Sequence, residues 1–184
     1  NPIWVMRQAG RYLPEFREIR SKNTDFIKLC LNPILSTEIT LQPIKRFNFD
    51  AAIIFSDILM LPYGLNQNVE FKKDFGPILG KLNLNKMSEV KEIDFVERVK
   101  QIYEVIKNVS DNNILKDKST IGFVGAPWTI LVYMINQQSP KKQLKKDFFE
   151  NKNLINNTLI IIEKFLKHCL LNLYFQKNLF LIVF

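Results

Sequence analysis

Two short, continuous apolar runs stand out along this chain, separated by stretches of helical period. Ala51-Ala52-Ile53-Ile54-Phe55 opens after Asp50 and closes at Ser56-Asp57. A run of this length and kind predicts a strand buried on both faces. Thr120-Ile121-Gly122-Phe123-Val124-Gly125 predicts a second. Ala126-Pro127-Trp128 then turns directly into a helix reaching about Gln137, with Pro127 well suited to its first position. Between the strands, residues 94–108 carry Phe95, Val99, Ile102, Val105 or Ile106, and then Val109 at helical spacing.

The flanking segments are read in the same way. Residues 1–20 predict a loop and a short helix, because Pro2, Gly10 and Pro14 forbid one continuous helix. Residues 24–31 predict a short amphipathic helix with Phe26, Ile27, Leu29 and Leu31 on its apolar side. Asn32-Pro33 reads as a break, and Ser36 or Thr37 as the cap of a helix carrying Ile39, Leu41, Ile44 and Phe47. Residues 66–73 alternate weakly and fit part of a hairpin, with Asp74-Phe75-Gly76-Pro77 as a turn. Residues 110–119 form a polar connection, and helices are expected near 140–150 and 153–168. Short apolar strands alternating with amphipathic helices predict an α/β fold with a parallel sheet.

Composition changes this picture little. The 184 residues are 47% hydrophobic and 24% charged, as in ordinary globular chains. The net charge of +8 comes mostly from lysine, consistent with solvated surface lysines, and its field would also concentrate an acidic ligand. Cys30 and Cys169 lie far apart among apolar residues, which suggests neither a disulfide framework nor a metal site, and free thiols suit the cytoplasm. No apolar run is long enough to span a bilayer. Glycine-rich phosphate loops and nucleic-acid-binding modules are absent from the sequence. The opening at Asn1 reads as that of a fragment, and no signal peptide is visible.

The arginines do change the picture. Only six occur, and Arg7, Arg11, Arg17 and Arg20 fall within the first twenty residues. A guanidinium grips carboxylate or phosphate bidentately, so this cluster is a candidate polyanion site. Ala9 and Gly10, between Arg7 and Arg11, would let a ligand approach the backbone. The competing reading is surface pairing, such as Arg11 with Glu15. Asp57 follows the first strand, where parallel α/β folds gather functional residues, though a turn or cap explains it equally. Tyr133, one turn beyond Thr129, is either a core aromatic or a cleft residue. The single histidine, His168, reads as packed or solvated, which leaves catalytic triads and zinc sites without support.

Taken together, these residues resemble a known family. The segment Pro2-x-Trp4-x-Met6-Arg-Gln-Ala-Gly-Arg-Tyr-Leu-Pro-Glu-Phe-Arg17 resembles the amino-terminal signature of uroporphyrinogen decarboxylase. Leu41-Gln42-Pro43 with Phe47, Asp50 through Ile58, Asp74 through Pro77, and Gly122 through Thr129 followed by Tyr133-Met134 resemble further blocks in the same order. The resemblance covers about residues 2–166. It implies a (β/α)8 barrel, here an amino-terminal portion of one, with no metal or organic cofactor and with homodimeric full-length members. The implied reaction removes carbon dioxide from the four acetate side chains of uroporphyrinogen, an octacarboxylate, giving coproporphyrinogen on the route to haem. By resemblance, Arg7 and Arg11 would bind substrate carboxylates, Gln8, Ala9 and Gly10 would shape that wall, and Arg20 would bind a further carboxylate. Asp57 would accept pyrrole N–H bonds, and Tyr133 would line the cleft. Asp57 and Arg7 are the residues expected nearest the chemistry. Neither a membrane nor a nucleic-acid partner is implied.

The chain also departs from the family pattern. A substrate-contacting serine and histidine of the later half have no counterpart, and residues 167–184 do not match the expected continuation. That tail reads as a frame change or an early stop after a single incomplete barrel domain. A complete barrel takes about 250 residues. The expectation is therefore a chain that by itself is neither stably folded nor active. A non-catalytic product, or a corrinoid-dependent methyltransferase relative on the same barrel, are the alternatives.

Overall fold

The computed structural model describes residues 2–72, 75–139, 150–174 and 179–183. In chain order the elements are α1 (Pro14–Lys22), α2 (Phe26–Cys30), α3 (Pro33–Phe47), β1 (Ala51–Ile53), α4 (Met60–Gly64), β2 (Val69–Lys72), β3 (Gly76–Leu79), α5 (Leu84–Ser88), α6 (Glu92–Ser110), a 3-10 turn (Asn113–Leu115), β4 (Ser119–Val124), α7 (Pro127–Asn136), α8 (Lys152–Tyr174) and β5 (Leu179–Val183). Both predicted strands form, and they pair in parallel. The helix expected near 140–150 and the Asp74 end of the expected turn lie outside the described residues.

The chain divides into two compact units. The first combines Asn1–Asp57, Lys100–Val124 and Leu171–Val183. Its sheet has the order β1-β4-β5, with Ala51 to Ile53 opposite Ser119 to Ile121 and Thr120 to Val124 opposite Leu179 to Val183, all parallel. Alanines in β1 let α3 and the second half of α6 close over the sheet. Ala52, Ile54, Leu41, Ile44, Val105, Ile106 and Val109 form one buried cluster. A second cluster joins Leu13, Phe16, Leu29 and Ile39. The tail strand β5 is barely covered, with Phe180 61% and Val183 57% exposed.

The second unit combines Ile58–Val99 and Gly125–Leu170. It holds the antiparallel β2–β3 hairpin, with Val69 opposite Leu79. Its core is built around Phe95, whose ring lies 4.8 Å from that of Phe165. Gly64 is required beneath that ring, because a Cβ there would stand 2.5 Å from it. Gly125 is equally constrained, since its Cβ would meet Ile130 at 2.7 Å and Ile58 at 3.1 Å. The glycine of the Gly-Ala-Pro-Trp turn thus lets the start of α7 pack tightly.

Several boundaries differ from the sequence reading. Helix α3 begins at Pro33, not after Ser36 or Thr37. The Asn32 side chain accepts the Leu35 N–H at 3.0 Å, and Pro33 takes the first helical position, where its missing N–H costs nothing. The Ser36 hydroxyl is buried inside the helix and donates to Leu29 O at 2.8 Å. Strand β1 ends at Ile53 because the Phe55 N–H turns to the Thr40 hydroxyl at 2.9 Å. The helices α4 and α5, each five residues long, were not anticipated, nor was the 3-10 turn inside the polar connection at 110–119.

Candidate active site

The opening loop is fixed to the outer edge of β1. On its inner side β1 pairs with β4: Ser119 N–H donates to Asp50 O at 2.9 Å, and Ile54 N–H donates to Ile121 O at 3.0 Å. Alternation along a strand then turns Ala51 O and Ile53 N–H toward the opposite edge. The side chain of Gln8 meets both, its Nε2 donating to Ala51 O at 2.6 Å and its Oε1 accepting from Ile53 N–H at 2.9 Å. One amide side chain thereby stands in for a neighbouring strand, and it is only 2% exposed. A reciprocal pair secures the loop further upstream: Ile3 N–H donates to Asp50 Oδ2 at 2.6 Å, and Asp50 N–H donates to Ile3 O at 2.9 Å.

Gln8 is flanked by a turn closed by Leu13 N–H donating to Gly10 O at 3.0 Å. Tyr12 donates its hydroxyl to Gln8 O, and Arg17 braces the turn by donating to Arg11 O at 2.8 Å and Tyr12 O at 3.2 Å. Partial desolvation, then the charge of Glu15, raises the Tyr12 phenol above its ordinary pKa. With the backbone held this way, Arg7 and Arg11 project as exposed side chains that form no ion pair among the described residues. The surface pairing weighed for Arg11 does not occur. Glu15 is taken by Arg46, through a bidentate contact with both N···O distances at 3.0 Å.

That pair makes the fold acid-sensitive. Hydrogen bonding from Arg46 holds the Glu15 carboxyl below the usual carboxylate range. A folded-state value below the unfolded one contributes stability that is present above the unfolded pKa and lost as pH falls through the folded one. Melting temperatures measured from pH 7 to pH 3 are expected to show wild type above Glu15→Gln at neutral pH and the two converging at the acid end. A gap that does not narrow would remove the pair from the acid response.

The carboxyl end of β1 leads to Asp57, half-buried four residues past Ile53. Around this end lie Phe16 and Phe26, both edge-on to Phe55 with centroids 5.8 and 5.7 Å away. Arg20 is half-buried, donates to Asn23 O, and carries its guanidinium carbon 5.6 Å from the centre of the Phe26 ring. Cys30 is fully buried nearby. Burial raises its thiol well above the ordinary value, the charge of Asp57 adds to this, and Arg20 opposes it. The charges of Asp57 and Arg20 thus act in opposite directions on the same buried thiol. Cys30 itself was not singled out as part of the site.

Of the residues expected from the sequence, Arg7, Gln8, Ala9, Gly10, Arg11, Arg20 and Asp57 all belong to the first unit. Tyr133 belongs to the second, half-buried on α7, with its hydroxyl 3.5 Å from Ser139 Oγ. His168, read as packed or solvated, is half-buried and has its Nδ1 3.7 Å from Glu92 Oε2. No helix among the described residues is long and apolar enough to cross a membrane.

Comparison with known proteins bears directly on these blocks. The family model described as uroporphyrinogen decarboxylase matches residues 1–175, past the end near residue 166 read from the motifs. The uroporphyrinogen decarboxylase of Rickettsia felis is 44% identical over 170 residues, which is 91% of this chain and 49% of that protein. That of Rickettsia bellii is 41% identical over 173 residues, 93% of this chain and 51% of that protein. The chain thus spans about half the length of the curated relatives it matches. Among solved structures, a methyltransferase from Methanosarcina mazei shares the fold, with a TM-score of 0.58, 15% identity, and coverage of 80% of this chain and 44% of that one. That likeness is one of fold alone, consistent with an α/β architecture on a parallel sheet. Sequence identity and the match across residues 1–175 decide the family: the chain belongs to the uroporphyrinogen decarboxylase family.

Proposed function

We propose that this chain forms the amino-terminal part of a (β/α)8 barrel and supplies the carboxylate-binding wall for uroporphyrinogen in its decarboxylation to coproporphyrinogen. The observation that carries the reading is the pair Arg7 and Arg11, exposed and without an ion pair among the described residues, on a loop that Gln8 fixes to the strand leading to Asp57. A substrate with eight carboxylates is a natural ligand for such a loop, because each guanidinium can take one carboxylate through two parallel charge-assisted bonds. Gln8 contributes by holding the loop, while Ala9 and Gly10 keep it low beneath the ligand.

Asp57 supplies the opposite charge. Protonation of a pyrrole ring on carbon makes the ring a cation. The bond from the acetate methylene to its carboxylate then breaks, carbon dioxide leaves, and the electron pair flows into the ring. A proton taken up at the methylene completes the methyl group, and the ring loses the proton it first gained. A fixed carboxylate facing the pyrrole N–H groups stabilises the cationic stage, in which the charge is greatest. By resemblance, Arg7 is the second group expected near this chemistry, and Tyr133 would steady an acetate. The reaction needs no metal or organic cofactor in this reading, and the working assembly is a homodimer in the cytoplasm. In place of the unstable, inactive chain expected from the sequence, this reading takes a folded chain, held by the buried clusters of the first unit, that binds the octacarboxylate without decarboxylating it.

Uroporphyrin, the fluorescent oxidised octacarboxylate, is the probe for the first half of this reading. Titration of the chain is expected to show binding about tenfold tighter than that of the tetracarboxylate coproporphyrin, and weakening as salt rises. Equal affinity for the two, or none for either, would overturn the assignment.

A further inference from the structure

The Arg20–Phe26 contact points beyond the carboxylate-binding role given to Arg20 above, on which it rests. The guanidinium of Arg20 lies over the Phe26 ring, 5.6 Å from guanidinium carbon to ring centroid, and one of its terminal nitrogens is committed to Asn23 O. A guanidinium has five N–H donors in one plane, and the contact with Asn23 engages one of its two terminal nitrogens. The ring and the backbone carbonyl together restrain the guanidinium from two directions. Phe26 is in turn held edge-on by Phe55, 5.7 Å away, and the Phe55 N–H is tied to the buried Thr40 hydroxyl. Nothing comparable restrains Arg7 or Arg11, which are exposed and form no ion pair among the described residues.

We infer that Phe26 is a positioning residue: its ring orients the Arg20 guanidinium in advance, so that Arg20 grips a substrate carboxylate with little loss of side-chain freedom. A long cationic side chain that must order on binding spends part of its interaction energy doing so, and a preset one does not. The three arginines then divide the work. Arg7 and Arg11 capture carboxylates from solution, and Arg20 sets the register of the bound molecule near Asp57.

Two measurements test this on the chain itself. The first needs no ligand. In a 15N-edited spectrum, the Arg20 side-chain Nε–H resonance is expected upfield of the exposed arginines through the ring current of Phe26, and Phe26→Leu should return it to the exposed range. An unshifted Arg20 resonance in the wild type overturns the inference, whatever the chain binds. The second is a double-mutant cycle with uroporphyrin. Phe26→Leu should weaken binding about two- to fivefold, Phe26→Tyr should retain wild-type affinity, and Phe26→Leu should have no effect once Arg20 is alanine. Equal losses with and without Arg20 would reduce Phe26 to a packing residue. A shifted Arg20 resonance in a chain that binds no porphyrin would instead uphold the contact and refute the assigned ligand.

Discussion

Replacing Arg7 and Arg11 together by alanine should weaken uroporphyrin binding by at least about a hundredfold while leaving the melting temperature unchanged. Charge-assisted hydrogen bonds contribute about 1.5–3 kcal/mol each, and the two side chains supply one such contact apiece at minimum. Both side chains are exposed and take part in no ion pair among the described residues, so the folded state has little to lose. The two parts of the expectation are independent. A loss of affinity with a large drop in melting temperature would assign these arginines to the fold instead. Unchanged affinity would remove the opening loop from the binding surface. Lysine at both positions should recover only part of the loss, because a point charge keeps the attraction without the planar fork. Fluorescence titration at two salt concentrations, with thermal melts of each variant, reads all of these outcomes.

Gln8→Leu should be the most damaging single change in the opening loop, costing about 2–4 kcal/mol in urea unfolding, although the new side chain is apolar and similar in size. The wild-type amide satisfies Ala51 O and Ile53 N–H simultaneously. Leucine satisfies neither and shields both from water, so two backbone groups lose their partners at once. Gln8→Glu isolates the donor half: it keeps an acceptor for Ile53 N–H but sets a carboxylate oxygen against Ala51 O, and should fall near the leucine variant. If Gln8→Leu unfolds like wild type, the amide does not anchor the loop. If it remains folded but loses porphyrin binding, Gln8 belongs to the ligand surface itself.

How far each feature could be read from the sequence follows from the range of the interaction behind it. The helix from Glu92 was legible because Phe95, Val99, Ile102, Val105, Ile106 and Val109 keep one period through it. Strands β1 and β4 were legible because continuous apolar runs of that length fit little else. Asn32-Pro33 misled because the same dipeptide that ends one helix caps and starts the next. The helices α4 and α5 are too short to show a period. At the site, the cluster of arginines and the placement of Asp57 beyond β1 were visible in the chain. The partners that determine how these residues act were not. Arg46 meets Glu15 across 31 residues of sequence, and Gln8 meets Ile53 across 45, so neither spacing announces the pair. The ring beneath Arg20 lies six residues away on another helix, and no local rule joins them.

The buried thiol of Cys30 gives this architecture a built-in clock. It is fully enclosed, and burial together with the neighbouring Asp57 keeps its reactive thiolate scarce. An alkylating reagent reaches it only when the packing around α2 opens, whereas Cys169 is half-buried. The interval between labelling of the two cysteines therefore times how often the platform carrying Phe26 and Arg20 comes apart, and a ligand that holds that platform shut would lengthen it.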